Sequence, residues 1–188
     1  LYNVPIGILV CPSDPRGALS ATSTYGTPYG ITSYLAVTGK DYNVTPSDGV
    51  IGLYPGPKGG PRRSAKLKEI TDGTSNTLFF AEIVLAPDIN SHDTRGRYFN
   101  DAGQGGVFFS TLFPPNQRVA DDRLYYCDNT VPRYAPCTVS TTNFVQTARS
   151  YHVGVVNVCL GDGSVRSISN SVNPATWTNL GTRAGGET

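Results

Sequence analysis

The stretch from Ser150 to Asn170 reads SYHVGVVNVCLGDGSVRSISN. Two runs rich in β-branched residues, Val155–Leu160 and Val165–Ile168, flank a turn that contains Asp162 and Gly163. An Asp-Gly pair between apolar runs predicts a β-hairpin with a type I′ turn, in which both central residues need φ > 0. In that register one face of the hairpin, which we expect to be buried, carries Val156, Val158, Leu160 and Val165.

The composition is typical of one turn-rich β domain that spans residues 1–188. The chain is rich in Gly (21), Pro (14) and Tyr (11), and charged residues make up only 15%. A chain of 188 residues buries roughly 70% of the surface that its unfolded form exposes, which is enough for a core. The balance of 15 basic and 14 acidic residues argues against a nucleic-acid partner, because such proteins carry a clustered basic surface.

Four further strands and one helix complete the predicted fold. We expect strands at Leu1–Cys11, Ile31–Gly39, Leu78–Leu85 and Gly106–Phe113. The segment from Asn173 to Gly181 has a capping residue, an early Pro and a final Gly, which predicts a two-turn helix that docks Trp177 on the sheet. The prediction is therefore a mainly β fold, an antiparallel sheet or sandwich with a short C-terminal helix. Long loop excursions are expected at about 40–65 and 114–140.

Several motifs resemble, in the same order, those of one bacterial family. His152, nine intervening residues and then Asp162-Gly163 are similar to an H-X9-DG motif. The others are CPSDP from Cys11, TSY from Thr32, ITDGTSNTL with Asp72-Gly73 and Glu82 after it, and LGTRAGGE from Leu180. Together they resemble domain-of-unknown-function family 1559, the prepilin-associated H-X9-DG proteins.

This resemblance implies a pilin-like domain, prepilin-type export and a location outside the cell or on the bacterial surface. Family members usually begin with a prepilin signal and a long apolar helix, and this sequence has neither. The chain opens at Leu1 within an apolar segment and contains no Met, so it reads as a processed or incomplete product. No apolar run approaches the ~20 residues that cross a bilayer, so we expect membrane contact only through a segment absent from this chain.

The four cysteines lie in no CxxC pair, so the spacing typical of zinc sites is absent. Cys127 and Cys137 bracket a loop with two prolines, and we predict a disulfide between them in an oxidising compartment. Cys11 and Cys159 lie in apolar runs, where two buried free thiols and a bridge are equally consistent with the sequence.

Catalytic chemistry is not expected. No G-x-S-x-G motif is present, and only His92 and His152 are available as bases. The steps from Val155 to Gly161 in the predicted strand span roughly 20 Å at about 3.3 Å per residue, so His152 and Asp162 should lie at opposite ends of it. We interpret His152 as a structural histidine held with Ser150 and Tyr151, and expect Asp162-Gly163 and Asp72-Gly73 to shape turns. The Thr/Ser run after Asp72 suggests one short helical turn that Asp72 can cap.

Two minor sites are compatible with the sequence. Calcium takes clustered carboxylate oxygens, and the loops hold Asp101, Asp121, Asp122 and Asp128, although their spacing matches no calcium motif. Asn43-Val44-Thr45 matches the N-glycosylation pattern, although the following Pro46 makes modification less favourable. We predict no other cofactor.

The leading hypothesis for function is self-assembly. The N-terminal segment has no charge before Asp14 and carries Leu1, Val4, Ile6, Ile8 and Leu9. Such a segment must pair with its own sheet or with a neighbouring copy. We therefore expect a structural subunit of an extracellular pilin-like filament. The alternatives are a minor pseudopilin of a secretion system and a surface polysaccharide-binding module that uses Tyr25, Tyr29, Tyr34, Tyr125, Tyr126 and Tyr134.

Overall fold

A computed structural model describes residues 4–16, 19–22, 28–41, 47–51, 65–86, 92–98, 106–118, 122–129 and 134–186. Its strands are β1 (Leu19–Thr22), β2 (Pro28–Gly30), β3 (Tyr34–Val37), β4 (Leu78–Glu82), β5 (Phe108–Phe109), β6 (Asp122–Leu124), β7 (Cys137–Val139), β8 (Val155–Leu160) and β9 (Val165–Ser169). The helix α1 spans Pro174–Leu180, and short 3-10 turns lie at Gly7–Leu9, Leu67–Glu69 and Thr74–Asn76. Across these residues no helix combines the length and apolar character that a membrane crossing requires.

The centre of the molecule is a five-stranded sheet in the order β5-β3-β4-β8-β9. The pairs β3–β4, β4–β8 and β8–β9 are antiparallel, whereas β5 joins β3 in parallel. Two smaller pairs are β1 with β2, antiparallel, and β6 with β7, parallel. The predicted mainly β fold with a short C-terminal helix is confirmed, and the sheet is mixed because the long connection after β4 returns the chain to the far side of β3.

The core lies on one face of this sheet, which we call the inner face. Alternate residues of β8 are buried there, as are Leu35 and Val37 of β3 and the fully buried Trp177 of α1. The predicted helix is confirmed: Asn173 Oδ1 accepts hydrogen bonds from the amides of Ala175 and Thr176, and the Trp177 indole donates to the Phe113 carbonyl at 2.8 Å. At Gly181 an added Cβ would lie 2.0 Å from Thr111 Oγ1, so only glycine lets the helix end sit this close.

The β8–β9 hairpin is confirmed, but the predicted type I′ turn is wrong. Of the turn residues only Gly163 has positive φ (83°), and the Gly163 amide donates to the Leu160 carbonyl. The connection is therefore a three-residue loop with a bulge, which shifts the register by one residue. Val165 pairs with Cys159 and is 71% exposed, while Val156, Val158 and Leu160 are buried as predicted.

The predicted N-terminal strand at Leu1–Cys11 is also wrong where the chain is described. Residues Gly7–Leu9 form a 3-10 turn, in which the Leu9 amide donates to the Ile6 carbonyl. The Leu9 carbonyl accepts from Ser33, so the segment lies beside β3 without joining the sheet. Leu1 lies outside the described residues.

The predicted disulfide between Cys127 and Cys137 is confirmed, while Cys11 and Cys159 are free thiols. Beside the disulfide, the fully buried Arg95 forms an ion pair with Asp93 at 2.7 Å and donates to the carbonyls of Ala135 and Asp128. These contacts fix the described part of the loop excursion at 114–140. The excursion at about 40–65 lies mostly outside the described residues.

Candidate functional site

A cluster of three ionisable side chains marks the candidate site. His152 Nε2 lies 3.3 Å from Glu82 Oε1 and 3.7 Å from Cys11 Sγ. The side chains of Glu82 and Cys11 are almost fully buried, and that of His152 is 30% exposed. Cys11 and His152 are 141 positions apart in the chain, so the fold alone brings them together.

Glu82 is the fixed member of the cluster. It is the last residue of β4, and its pairing with Tyr34 of β3 directs it to the outer face of the sheet. The amide of Asn157 donates to Glu82 Oε2 at 2.8 Å and the Asn157 side chain donates to Oε1 at 3.2 Å. Two neighbouring strands therefore hold the carboxylate in one orientation.

Cys11 and His152 are held by hydroxyl groups of the neighbouring segments. The Cys11 amide donates to Ser33 Oγ at 3.0 Å, and the His152 amide donates to Ser150 Oγ at 3.1 Å. Ser150 Oγ in turn donates to the carbonyl of Val155 at 2.6 Å, where β8 begins. The backbone of His152 thus contacts Ser150. Its side chain contacts Glu82 and Cys11, which the sequence did not assign to it.

Burial dominates the electrostatics of the cluster. It raises the pKa of the Cys11 thiol, and the neighbouring Glu82 carboxylate raises that pKa further. Burial also raises the pKa of Tyr34, with Cys11 and Glu82 as further causes. Without a cation between them, the thiol is therefore held in its protonated form at neutral pH.

The arrangement differs from a nucleophile–histidine–acid relay. In such a relay the nucleophile and the acid contact opposite nitrogens of the imidazole ring. Here Cys11 and Glu82 both approach Nε2, so Glu82 is not placed to orient His152 as a base for Cys11. His152 and Asp162 lie at opposite ends of β8, and the exposed Asp162 accepts a hydrogen bond from Ser164.

An apolar groove of about 480 Å³ runs from the cluster across the outer face of the sheet. Its lining includes Leu9, Tyr34, Phe80, Cys159 and Val165, and Glu82 lies at its edge. Phe80 is 40% exposed and Val165 is 71% exposed. The corrected hairpin register extends this face, because it places Val165 opposite the outward-facing Cys159.

Asp72 connects its own turn to the C-terminal segment of the chain. Its carboxylate accepts hydrogen bonds from the amides of Gly185 at 2.7 Å and Gly186 at 2.9 Å, and from Thr182 Oγ1 at 3.4 Å. The helical turn predicted after Asp72 is present at Thr74–Asn76, but its N-cap is Gly73 and no side chain caps it. The expected capping role of Asp72 is therefore wrong, and this residue instead anchors the C-terminal segment.

The remaining predicted sites are occupied by internal contacts or lie outside the described residues. Asp122 forms a buried ion pair with Arg149 at 3.2 Å, which removes its carboxylate from a calcium site. The amide of Asp128 donates to Asp93. Asp101, Asp121 and Asn43 are not among the described residues.

The tyrosines proposed as a sugar platform are largely engaged within the protein. Tyr126 stacks on His92 with ring centroids 3.7 Å apart and meets Tyr125 edge-on. Tyr134 packs against Tyr151, and Tyr29 lies under the Arg97 guanidinium. Tyr34 faces the groove, and Tyr25 lies outside the described residues.

Comparisons with known proteins then assign the chain to a family. Neither curated proteins nor solved structures gave a match. A family model described as "Protein of unknown function (DUF1559)" matches residues 3–175. This match covers the segments that carry Cys11, Glu82, His152 and the Asp162-Gly163 turn. The chain therefore belongs to the DUF1559 family.

Proposed function

We propose that this protein is a structural subunit of an extracellular filament built from copies of itself. The observation that carries the proposal is the outer face of the central sheet, which presents an apolar groove beside an exposed apolar N-terminal segment. We call the groove with Phe80 and Val165 the acceptor face, and residues Val4–Ile8 the donor segment.

The donor segment exposes apolar side chains that gain free energy on burial. Ile8 is 87% exposed, Val4 44% and Ile6 38%. Complete burial of a side chain of this size contributes about 1.5–3 kcal/mol. Folded monomers seldom leave such residues beside a second exposed apolar surface, so contact with another copy accounts for both surfaces.

The two surfaces differ, which favours an open assembly. A donor segment on one copy that fills the acceptor face of the next makes a head-to-tail contact. Such contacts continue into a filament unless the rotation between copies closes a ring. The acceptor face includes β9, which ends the sheet and therefore also offers a strand edge for pairing.

Two further features support an extracellular location. The Cys127–Cys137 disulfide is typical of oxidising compartments. The motifs of the chain resemble those of prepilin-associated proteins, which implies export. A bacterial surface filament meets both conditions.

The experiment replaces one residue on each surface and measures assembly. Ile8→Asp and Val165→Lys should abolish fibres in negative-stain images and leave monomers in sedimentation velocity, with the melting temperature unchanged. Val139→Lys is the matched control, because Val139 is 68% exposed on β7, outside both surfaces; it should assemble as the unchanged protein does.

Fibre formation by both surface variants would overturn this assignment of the contact. Monomers of the unchanged protein that are retained on a polysaccharide column would favour the sugar-binding alternative. Assembly only in mixtures with other pilin-like subunits would favour the pseudopilin.

A further inference from the structure

We propose that Cys11, Glu82 and His152 form a zinc site, which goes beyond the filament function and does not depend on it. The three ligand atoms all lie within 4.8 Å of one another. They come from three separate segments, so a bound ion would join the N-terminal segment to β4 and to the turn before β8.

The two distances from His152 Nε2 to the other ligand atoms match those around tetrahedral zinc. Zinc binds sulfur at about 2.3 Å and nitrogen or oxygen at about 2.0–2.2 Å. At tetrahedral angles these bond lengths place nitrogen and oxygen ligands about 3.3 Å apart, and nitrogen and sulfur ligands about 3.6 Å apart. The observed separations from His152 Nε2 are 3.3 Å to Glu82 Oε1 and 3.7 Å to Cys11 Sγ.

Hydrogen bonds at His152 Nε2 use only part of this geometry. One ring nitrogen carries either one proton or one lone pair, so His152 Nε2 cannot form full hydrogen bonds to both Glu82 and Cys11. A cation between the three atoms uses all of them at once. The combination of thiolate, imidazole and carboxylate suits zinc better than calcium or magnesium, which prefer oxygen ligands.

The buried carboxylate of Glu82 also favours a positive charge beside it. Its side chain is 3% exposed, and His152 is its one ion-pair partner among the described residues. A carboxylate at this depth is costly unless a cation or several hydrogen bonds compensate it. Asn157 supplies two donors and fixes its orientation, as outer-shell residues do around metal ligands.

The site provides three protein ligands and leaves one position for a solvent molecule. The partial exposure of His152 and the adjoining groove give the ion a path to enter. The inference concerns binding of the metal alone and assigns no reaction to it.

Titration of the purified full chain with zinc sulfate tests the site, with the disulfide kept oxidised. We expect one zinc ion per chain. Cobalt(II) should produce the near-ultraviolet absorption of a thiolate–cobalt bond. Cys11→Ser, Glu82→Gln and His152→Gln should each weaken zinc binding at least tenfold. The matched control is Cys159→Ser, which removes the other free thiol and should bind zinc unchanged.

A second measurement needs no variant and so does not depend on their folding. Zinc should protect Cys11 of the intact protein from alkylation, while Cys159 reacts at the same rate with or without the ion. Absence of zinc binding by the folded protein, or equal binding by Cys11→Ser, would overturn the inference. Fibre formation is measured in a separate experiment. A negative result in the zinc experiments would therefore not affect the filament proposal.

Discussion

Replacement of Gly163 by valine isolates the backbone conformation of the β8–β9 turn. Gly163 has φ = 83°, and a Cβ added there would meet no atom within 4 Å. The cost is therefore backbone strain alone, about 2–3 kcal/mol for a β-branched residue. Valine also restricts the unfolded chain, which offsets about 0.4–1 kcal/mol. The net loss of about 2 kcal/mol corresponds to a melting temperature lower by about 4–8 °C.

Gly7 provides the matched control, because a Cβ added there also meets no atom within 4 Å and its φ is not positive. Gly7→Val should change the melting temperature by no more than about 1–2 °C. Circular dichroism of both variants under identical conditions gives the comparison. Equal melting temperatures for Gly163→Val, Gly7→Val and the unchanged protein would refute the proposed turn geometry.

Three further changes test other parts of the structure. Asp72→Ala leaves two amide donors of the C-terminal segment unpaired and should lower the unfolding free energy by about 3 kcal/mol, measured in urea; a smaller loss than 1 kcal/mol would contradict this connection. Mutation of both Cys127 and Cys137 to Ser should cost about 3 kcal/mol by the loop-entropy relation in the same assay, and native peptide maps should show the two cysteines linked. Burial, and then the charge of Arg97, lower the pKa of His92 from 6.5, so the unfolded chain binds the proton more tightly and stability falls as pH drops below that value. The melting temperature of His92→Gln should therefore fall less between pH 7 and pH 5 than that of the unchanged protein. An identical fall in both proteins would contradict this.

Sequence patterns within a few residues correctly predicted those strands and that helix whose formation depends on neighbouring residues. The alternation in β8, the apolar run of β4 and the caps of α1 each lie within a few residues, and all three elements formed. The hairpin shows the limit of this reasoning, because the number of loop residues fixes the register. One extra loop residue placed Val165 on the outer face, where it is 71% exposed.

The candidate site depends on contacts that no local pattern specifies. Cys11, Glu82 and His152 each belong to a motif found in the sequence, but their spacing matches no metal site and only the sheet brings them together. The same holds for Asp72, whose local context suggests a helix cap while its partners lie at the other end of the chain. The one sequence signal for these contacts was that the motifs that carry the four residues occur together in one chain.

Self-assembly through the outer face is tested most directly by negative-stain electron microscopy of the native protein beside a version that lacks Leu1–Ile8. We predict long fibres of regular repeat for the native protein, and folded monomers without fibres for the shortened one. A native protein that stays monomeric at high concentration would contradict the filament. Unfolding of the shortened protein would show that the donor segment stabilises the fold of its own chain, and not a contact with a neighbouring copy.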